Sequence, residues 1–275
     1  MTTSVEDDVF EAVIRRRRLR VSVRRAAGPG PTRTPLLLLN GIGASLELLQ
    51  PFVDELPPGI EVIRFDVPGI GGSPVPVIPY HMTTLAPLVG TLVRRLGHER
   101  VDVMGLSWGG GLAQQFAVAQ RKQTRKLVLA ATGTGSLMVP ARPNVLLKML
   151  TPRRHQDPDY ARRIAGEIYG GTMRTNPEVA AKVLHAYTRK GPTRGYYYQL
   201  LAGAGWSSLP TLGLIRQPTL IVAGDDDPLI PVINAKIMAR GIPRARLHLY
   251  EGGHLALLTE AKTLAPVIDA FLRED

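Results

Sequence analysis

One serine in this chain has the neighbours that a catalytic nucleophile needs. Gly105, Ser107 and Gly109 form a Gly-x-Ser-x-Gly motif, with an apolar run at 101–106 and a helix-like pattern at 112–117. Strand, tight turn and helix in this order describe a nucleophile elbow, which holds a serine on a strained turn. Glycine suits the two flanking positions because strand and helix come too close there for a Cβ atom. The motif also arises by chance in glycine-rich loops, so its meaning depends on whether an acid, a base and an oxyanion hole accompany it.

Two later loops supply an acid and a base. A serine hydroxyl is a weak nucleophile at neutral pH, so it needs a base, and the base needs an acid that holds it in one tautomer. Asp227 follows the apolar run 219–223, and His254 follows the run 246–250. Both residues lie where a strand ends, as Ser107 does. Because the chain order Ser, Asp, His is that of an α/β-hydrolase, the sequence predicts these three residues as a catalytic triad.

Three consecutive aspartates make the identity of the acid a choice. Asp227 comes directly before Pro228 and four residues before Pro231, in a Gly-x-x-Asp-x-x-x-Pro pattern that is common in this fold. Asp225 and Asp226 are the alternatives, and either one suits the cap of the following turn. We favour Asp227 as the acid.

Five other histidines compete with His254 for the role of the base. His98 precedes the elbow strand and His248 lies inside a strand, so a structural role explains both more simply. The remaining three lie in a loop or in the helical segment described below: His81, His155 and His185. Of the six, His254 alone combines a strand end, a flexible Gly-Gly approach and a position after the acid.

The negative charge of the tetrahedral intermediate needs preorganised hydrogen-bond donors. One predicted donor is the backbone N–H of Trp108, directly after the nucleophile. The second is the backbone N–H of Ile42, in the loop 40–44 that follows the apolar strand 36–39. Because both roles use the backbone, the two side chains are free to shape the acyl pocket.

Strands alternate with helices over most of the chain, which is typical of a doubly wound, mostly parallel sheet. The predicted strands span residues 9–14, 19–23, 36–39, 61–65, 101–106, 126–131, 219–223 and 246–250. Helices are predicted at 46–56, 84–96 and 261–272, and the four arginines at 15–18 are predicted to form a solvated turn. The fold class is therefore α/β, of the α/β-hydrolase type.

Residues 135–212 interrupt this alternation. No apolar β run occurs there; short helical patterns at 145–150, 160–169, 177–189 and 195–201 are separated by prolines and glycines. The segment contains 11 Lys and Arg against 4 Asp and Glu, so it carries +7 of the net charge. We predict a helical lid over the carboxyl ends of the strands, where such sheets place their sites. This divides the chain into a first core part (1–134), the lid (135–212) and a second core part (213–275).

The composition excludes several kinds of site. The net charge is +11, and 27 of the 34 basic residues are arginine, which would suit a nucleic acid. No zinc-finger spacing, RNA-recognition aromatic motif or helix-turn-helix pattern accompanies the charge, so we interpret it as solvated surface and predict no nucleic-acid partner. The absence of cysteine excludes disulfides, metal-thiolate sites and a cysteine nucleophile. The histidines and carboxylates lack metal-site spacing, so hydrolysis without a cofactor is expected.

The start of the sequence bears on location. Residues 1–10 are polar and acidic, with no apolar segment long enough for a signal peptide. The apolar run 36–39 is too short to cross a membrane. We therefore expect a cytoplasmic protein without a transmembrane segment, and the sequence leaves its oligomeric state open.

Seven stretches of the sequence together resemble one protein family. They lie at residues 40–44, 65–73, 105–117 (GLSWGGGLAQQFA), 127–132, 195–206 (GYYYQLLAGAGW), 217–231 and 252–255. On these stretches the chain resembles the intracellular poly(3-hydroxyalkanoate) depolymerases of the medium-chain-length type, which are serine hydrolases of the α/β-hydrolase fold. Asn40, where many relatives have histidine, and the tyrosine-rich stretch are the more specific features. Gly111, where we would expect alanine, is a departure, and the first 34 residues match little.

The resemblance implies a serine esterase that cleaves polyhydroxyalkanoate ester bonds through an acyl-enzyme on Ser107, with the polymer granule surface as a further partner. Asn40, Tyr196, Tyr197 and Trp206 are predicted to line the substrate pocket, while the alternative that lid aromatics pack the lid onto the core stays open. Two other hypotheses remain. One is a carboxylesterase or lipase that acts on small-molecule or lipid esters, and the other is a surface-binding module with a vestigial triad.

Overall fold

The strands predicted from the apolar runs lie side by side in one mixed sheet. The computed structural model describes residues 7–28, 33–186, 189 and 191–274. Within these ranges eight strands have the order β1-β2-β4-β3-β5-β6-β7-β8, with β1, β2 and β4 paired antiparallel and the other pairs parallel. The strands are β1 (Asp7–Ile14), β2 (Arg17–Arg24), β3 (Leu36–Leu39), β4 (Val62–Phe65), β5 (Val101–Leu106), β6 (Thr124–Ala130), β7 (Thr219–Gly224) and β8 (Ala245–Tyr250). The prediction of an α/β fold with a mostly parallel sheet is confirmed.

The central strands are apolar without alternation because both faces of the sheet are covered. In β3, Leu38 belongs to one hydrophobic cluster and Leu37 to the other, as expected when successive side chains point to opposite faces. The parallel register places Leu38 beside Met104, and Met104 beside Val128. The loops that follow β3, β5, β7 and β8 therefore lie along one edge of the sheet.

Helices cover the two faces of the sheet, and further helices lie between β6 and β7 in the chain. They are a 3₁₀ turn (Leu46–Leu49), α1 (Gln50–Asp54), α2 (Met82–Arg95), α3 (Trp108–Ala119), α4 (Pro143–Met149), α5 (Arg153–Gln156), α6 (Pro158–Tyr169), α7 (Thr172–Thr175), α8 (Pro177–Ala186), α9 (Thr193–Ala204), a second 3₁₀ turn (Leu209–Leu214), α10 (Ile233–Gly241), α11 (Ala256–Thr259) and α12 (Ala261–Arg273). Phe52 of α1 and Ile268 of α12 are buried in one layer, and Leu85 of α2 and Phe116 of α3 in the other. Among the described residues, no helix has both the length and the apolar character that a membrane crossing requires.

Element boundaries differ from the predictions where prolines and turns intervene. The helix expected at 46–56 is a 3₁₀ turn followed by the short α1, because Pro51 favours the start of a new helix. In the arginine run, Arg15 and Arg16 form the turn with φ of 47° and 64°, and the next two arginines already belong to β2. The helix expected at 177–189 corresponds to α8, which spans Pro177–Ala186. Residues 187 and 188 of that prediction lie outside the described ranges.

Six helices, α4 to α9, lie between β6 and β7 in the described part of the chain. The sequence of α6 shows why this segment is helical. Asp157 caps its first turn by accepting a hydrogen bond from the Tyr160 N–H at 2.9 Å, and Pro158 starts the helix. Ala161, Ile164, Ala165 and Ile168 follow at helical spacing and are buried on one face. The same segment supplies several of the contacts around Ser107 described below.

Candidate active site

Ser107 occupies a strained turn between β5 and α3. Its φ of 54° and ψ of −119° lie in a region that costs a non-glycine residue about 1–3 kcal/mol. The surrounding backbone holds this conformation, because the Ser107 N–H donates to the Ala130 carbonyl at 2.9 Å. The Ser107 carbonyl accepts from the Thr132 hydroxyl at 2.7 Å and from the Gly110 N–H at 2.9 Å. A strained serine that its neighbours fix in place is the arrangement expected of a nucleophile elbow.

The two glycines that flank the serine are required by close backbone approach. A Cβ atom on Gly105 would lie 2.3 Å from the Gly109 carbonyl oxygen, and one on Gly109 would lie 2.1 Å from the Leu39 oxygen. Neither position can accept a side chain without moving backbone. The reason given for glycine from the sequence alone therefore holds in the structure.

His254 and Asp227 form a buried pair. The His254 Nδ1 lies 2.8 Å from the Asp227 Oδ2, and the two residues are 3% and 7% exposed. The other carboxylate oxygen, Oδ1, accepts the backbone N–H groups of Leu229 at 2.9 Å and Ile230 at 2.8 Å. Three hydrogen bonds thus orient the carboxylate. With Nδ1 committed to Asp227, the Nε2 of His254 is the ring nitrogen that can accept a proton from a nucleophile.

The two neighbouring aspartates are engaged elsewhere. Asp226 accepts hydrogen bonds from the Arg174 guanidinium at 2.7 Å and from the Gly171 backbone N–H at 2.7 Å. The hydrogen bond from Arg174 lowers the pKa of the Asp226 carboxyl. Asp225 accepts the Gly252 N–H at 3.1 Å. The structure therefore brings Asp227, rather than either alternative, to the predicted histidine.

Tyr169, the last residue of α6, contacts His254 in two ways. Its carbonyl accepts the His254 backbone N–H at 2.7 Å, and its ring stacks on the imidazole with centroids 6.1 Å apart and planes 16° apart. Burial raises the pKa of the Tyr169 phenol, which keeps it neutral. A residue between β6 and β7 thus helps to set the position of the histidine. The sequence analysis missed this contact, since a tyrosine at a helix end carries no local signal of it.

The loop after β3 lies against the nucleophile. A Cβ atom built on Gly41 would be 3.6 Å from the Ser107 Cβ, which is ordinary contact distance. Among the described residues, none accepts a hydrogen bond from the backbone N–H of Ile42 or Trp108. Both predicted oxyanion donors therefore remain available to a substrate oxygen. The Asn40 side-chain amide donates to the Ser45 carbonyl at 2.7 Å and so holds the loop closed.

Gln199 of α9 contacts both segments that carry the predicted oxyanion donors. Its side-chain oxygen accepts the Gly43 N–H at 2.7 Å, and its backbone oxygen accepts the Trp108 indole N–H at 2.8 Å. The residue is 1% exposed, so these hydrogen bonds are shielded from water. Sequence reasoning did not single it out, although a glutamine inside a run of tyrosines and leucines was a usable signal.

An apolar cavity of about 470 Å³ opens beside Ser107. Its walls come partly from the core and partly from the helices between β6 and β7. The core side includes Met82, Trp108, Leu229 and Ile230, and the helical side includes Leu146, Met149, Leu150 and Leu201. A cavity of this size and polarity suits an acyl chain. A second cavity, of about 30 Å³, is lined by Ser107 and His254 together with Arg154 and Tyr169.

The structure places the four residues predicted to line the substrate pocket in different surroundings. Trp206 lines the large cavity, and its indole N–H donates to Gln115 at 2.7 Å. Asn40 is instead part of the loop closure described above, and Tyr196 is buried with its hydroxyl donating to the Met149 carbonyl. Tyr197 is 41% exposed and is not on the wall of either cavity next to Ser107. Helical geometry explains the difference between Tyr196 and Tyr197, because consecutive residues of α9 point in different directions.

The competing histidines have other surroundings, although His155 lines the small cavity together with Ser107. His81 caps α2, His98 lies 2.6 Å from Glu61, and His248 is part of β8. His155 is buried with its ring centroid 6.3 Å from that of Tyr196. The side chain of His185 lies outside the described residues.

The fold and the arrangement around Ser107 define a class of hydrolase, and comparison with known proteins agrees. A family model described as the α/β hydrolase fold matches residues 34–261. The chain belongs to the α/β-hydrolase family. The fold and the hydrolase class predicted from the sequence are both confirmed by this match.

Among individual relatives, the chain is 51% identical over 256 residues to a poly(3-hydroxyalkanoate) depolymerase of Ectopseudomonas oleovorans, which covers 92% of this chain and 90% of the relative. This confirms the resemblance drawn from the sequence stretches. The chain is also 30% identical over 227 residues to a 2-hydroxy-6-oxononadienedioate/2-hydroxy-6-oxononatrienedioate hydrolase of Cupriavidus pinatubonensis, with 78% and 76% coverage.

Solved structures agree on the fold. An enol-lactonase from Burkholderia xenovorans superimposes with a TM-score of 0.80 over 96% of this chain and 100% of that one, at 22% identity. A thermophilic esterase from Thermogutta terrifontis gives a TM-score of 0.76 at 24% identity, covering 97% of this chain and 98% of that one. At such identities the likeness concerns the fold alone.

Proposed function

We propose that this hydrolase cleaves the ester bonds of poly(3-hydroxyalkanoate) with medium-length side chains, using Ser107, His254 and Asp227 as its catalytic triad. The observation that carries the chemistry is the buried 2.8 Å contact between His254 Nδ1 and Asp227, with His254 on the wall of a small cavity that Ser107, a serine on a strained turn, also lines. The substrate is supported by the 51% identity to a poly(3-hydroxyalkanoate) depolymerase and by the apolar cavity beside Ser107.

In the acylation step, the Ser107 hydroxyl attacks the ester carbonyl while His254 Nε2 accepts its proton. The developing oxyanion receives hydrogen bonds from the backbone N–H groups of Ile42 and Trp108. No other described residue accepts a hydrogen bond from either group. Asp227 stabilises the imidazolium and keeps its orientation. Collapse of the intermediate breaks the ester C–O bond, and His254 protonates the departing alcohol.

In the deacylation step, water attacks the acyl-enzyme with His254 as the general base. The product is a 3-hydroxy acid or an oligomer, and Ser107 regains its proton. We propose that the segment 135–212 acts as the lid. Its helices contribute Leu146, Leu150 and Leu201 to the cavity that would hold the acyl side chain.

The decisive experiment measures hydrolysis of emulsified polyhydroxyalkanoates that differ in side-chain length, with wild type beside Ser107→Ala. The expected result is release of 3-hydroxy acids from the medium-chain polymer by wild type and a loss of at least about 10³-fold in Ser107→Ala. Turnover of simple alkyl esters without any polymer hydrolysis would support a small-molecule carboxylesterase instead. Absence of any esterase activity, with no labelling of Ser107 by a serine-directed phosphonate, would support a vestigial site.

We further propose that the enzyme is cytoplasmic and works at the surface of polymer granules. Support comes from exposed leucines in the segment 135–212: Leu147 is 66% exposed, Leu150 53% and Leu201 57%, and the latter two also line the large cavity. Such side chains suit contact with an apolar polymer. In cosedimentation with amorphous granules, Leu147→Gln should bind more weakly than wild type. Val13→Gln, on edge strand β1 and 54% exposed, is the control; equal binding by all three proteins would contradict this surface.

A further inference from the structure

Arg154 of α5 is a buried cation beside the nucleophile. The residue is 2% exposed, yet among the described residues it forms no ion pair with a carboxylate. A charge withdrawn from water is costly unless it is paired and fully hydrogen-bonded. The preceding Arg153, by contrast, is exposed and pairs with Asp157 at 3.1 Å.

Among the described residues, the hydrogen bonds of Arg154 leave donor capacity on one of its guanidinium nitrogens. Nε donates to the Tyr169 hydroxyl at 3.0 Å, and Nη1 donates to the Tyr196 hydroxyl at 2.7 Å and to the Thr151 carbonyl at 3.4 Å. Among the described residues, Nη2 has one hydrogen-bond contact, the Ile42 carbonyl at 3.5 Å, which is at the limit of a hydrogen bond. All of these acceptors are uncharged. Since Nη2 carries two N–H groups, it can still bind an incoming acceptor.

Arg154 lines the small cavity together with Ser107 and His254. The volume of about 30 Å³ is room for about two water molecules, or for the two oxygens of a carboxylate. His254 is on the wall of this cavity and not of the large apolar one. Because His254 must protonate the leaving alcohol, that part of the substrate lies toward the small cavity, while the acyl chain occupies the large one.

We propose that Arg154 binds a carboxylate on the leaving-alcohol side of the scissile ester. The inference rests on the proposed function, because the ester next to the carboxyl end of a poly(3-hydroxyalkanoate) releases a 3-hydroxy acid. Three bonds separate its alcohol oxygen from its carboxylate carbon. During acylation the Ser107 Oγ–carbonyl bond forms, the ester C–O bond breaks and His254 transfers its proton to the alcohol oxygen; the carboxylate stays ionised on Arg154. The preferred substrates are therefore 3-hydroxyacyl oligoesters with a free carboxyl terminus.

The test compares two forms of one substrate, the ester dimer of 3-hydroxyoctanoate as the free acid and as its methyl ester. Wild type is expected to show the higher kcat/KM for the free acid. Arg154→Gln should lower kcat/KM for the free acid at least about 10-fold more than for the methyl ester, because a charge-assisted hydrogen bond is lost. Arg153→Gln, the same substitution at the exposed neighbour, should leave the ratio of the two substrates unchanged. Equal losses on both substrates in Arg154→Gln would show a merely structural role and overturn the proposal.

A second measurement uses wild type alone, so it holds even where Arg154→Gln fails to fold. With p-nitrophenyl octanoate as the reporter substrate, 3-hydroxyoctanoate should inhibit with an inhibition constant at least about 10-fold below that of its methyl ester. Equal inhibition constants would overturn the carboxylate site. If wild type hydrolyses the reporter but neither dimer, the proposed polyester function fails, while the inhibition comparison still decides the role of Arg154.

Discussion

The loops at the strand ends and the helices between β6 and β7 contribute differently to the candidate site. The strand-end loops carry the groups that would react, Ser107, Asp227 and His254, each next to a buried strand. The inserted helices carry groups that hold these loops, such as Tyr169 on His254 and Gln199 on the loop after β3. The comparison teaches that the groups proposed to react follow buried strands of the sheet, whereas their alignment also depends on helices inserted between β6 and β7.

The largest effect is expected at the strand ends, in Asp227→Asn. An amide cannot hold the imidazole in the required tautomer, so kcat should fall by roughly 10³–10⁴-fold. Asp225→Asn and Asp226→Asn are matched controls and should keep kcat within about 10-fold, since those carboxylates bind Gly252 and Arg174. Hydrolysis of p-nitrophenyl octanoate measures all three variants. A loss in Asp226→Asn as large as that in Asp227→Asn would reverse the assignment of the acid.

A smaller loss is expected in the inserted helices, in Gln199→Leu. This change removes the acceptor of the Gly43 N–H and frees the loop that carries Ile42. A lost hydrogen bond of about 1 kcal/mol corresponds to roughly a 5- to 10-fold lower kcat, because the loop is less well positioned for the oxyanion. Gln156→Leu, an exposed glutamine on α5, is the control and should behave as wild type. If the two variants have the same kcat, the inserted helices do not align the oxyanion loop.

Gly111→Ala tests the part of the large cavity's wall where α3 of the core meets the segment between β6 and β7. A Cβ atom at Gly111 would lie 3.0 Å from the Trp206 ring, which also lines the large cavity. The ring has to shift by a few tenths of an ångström, so kcat/KM for p-nitrophenyl decanoate should fall about 3-fold relative to p-nitrophenyl acetate. The variant replaces a helical glycine, so its thermal stability should not decline in parallel. An unchanged chain-length profile would mean that this wall does not limit the acyl chain.

The smallest effect is expected for Arg174→Met, which removes the ion pair between α7 and Asp226. The hydrogen bond from Arg174 holds the pKa of the Asp226 carboxyl below that of an ordinary aspartate, so the pair stabilises the folded state above the unfolded pKa, and this contribution is lost as the pH falls through the lowered folded pKa. The melting temperature of Arg174→Met should therefore lie slightly below that of wild type near pH 6, and the two should converge in strong acid. A difference that grows as the pH falls would contradict this sign.

The sequence was informative where one residue type and one local pattern suffice. Gly105 and Gly109 indicated the elbow because close backbone approach excludes every other residue, and the apolar strands indicated the sheet because both of its faces are buried. The sequence left open whether Tyr196 and Tyr197 line the pocket or pack against the core, because the directions of their side chains depend on the rotation of α9. Sequence reasoning also passed over Arg154, Tyr169 and Gln199, because their partners lie far away along the chain.

The sequence by itself determined the α/β-hydrolase fold, predicted the order of nucleophile, acid and base, and favoured Asp227 over its two neighbours as the acid. These follow from local constraints: apolar runs, glycine spacing and the proline pattern after the acid. Only the tertiary structure decided which residues surround the serine, that the apolar cavity has walls from two parts of the chain, and that a buried arginine lies beside His254. The reason is physical, since contacts between distant segments depend on how helices pack, and no local pattern specifies that packing.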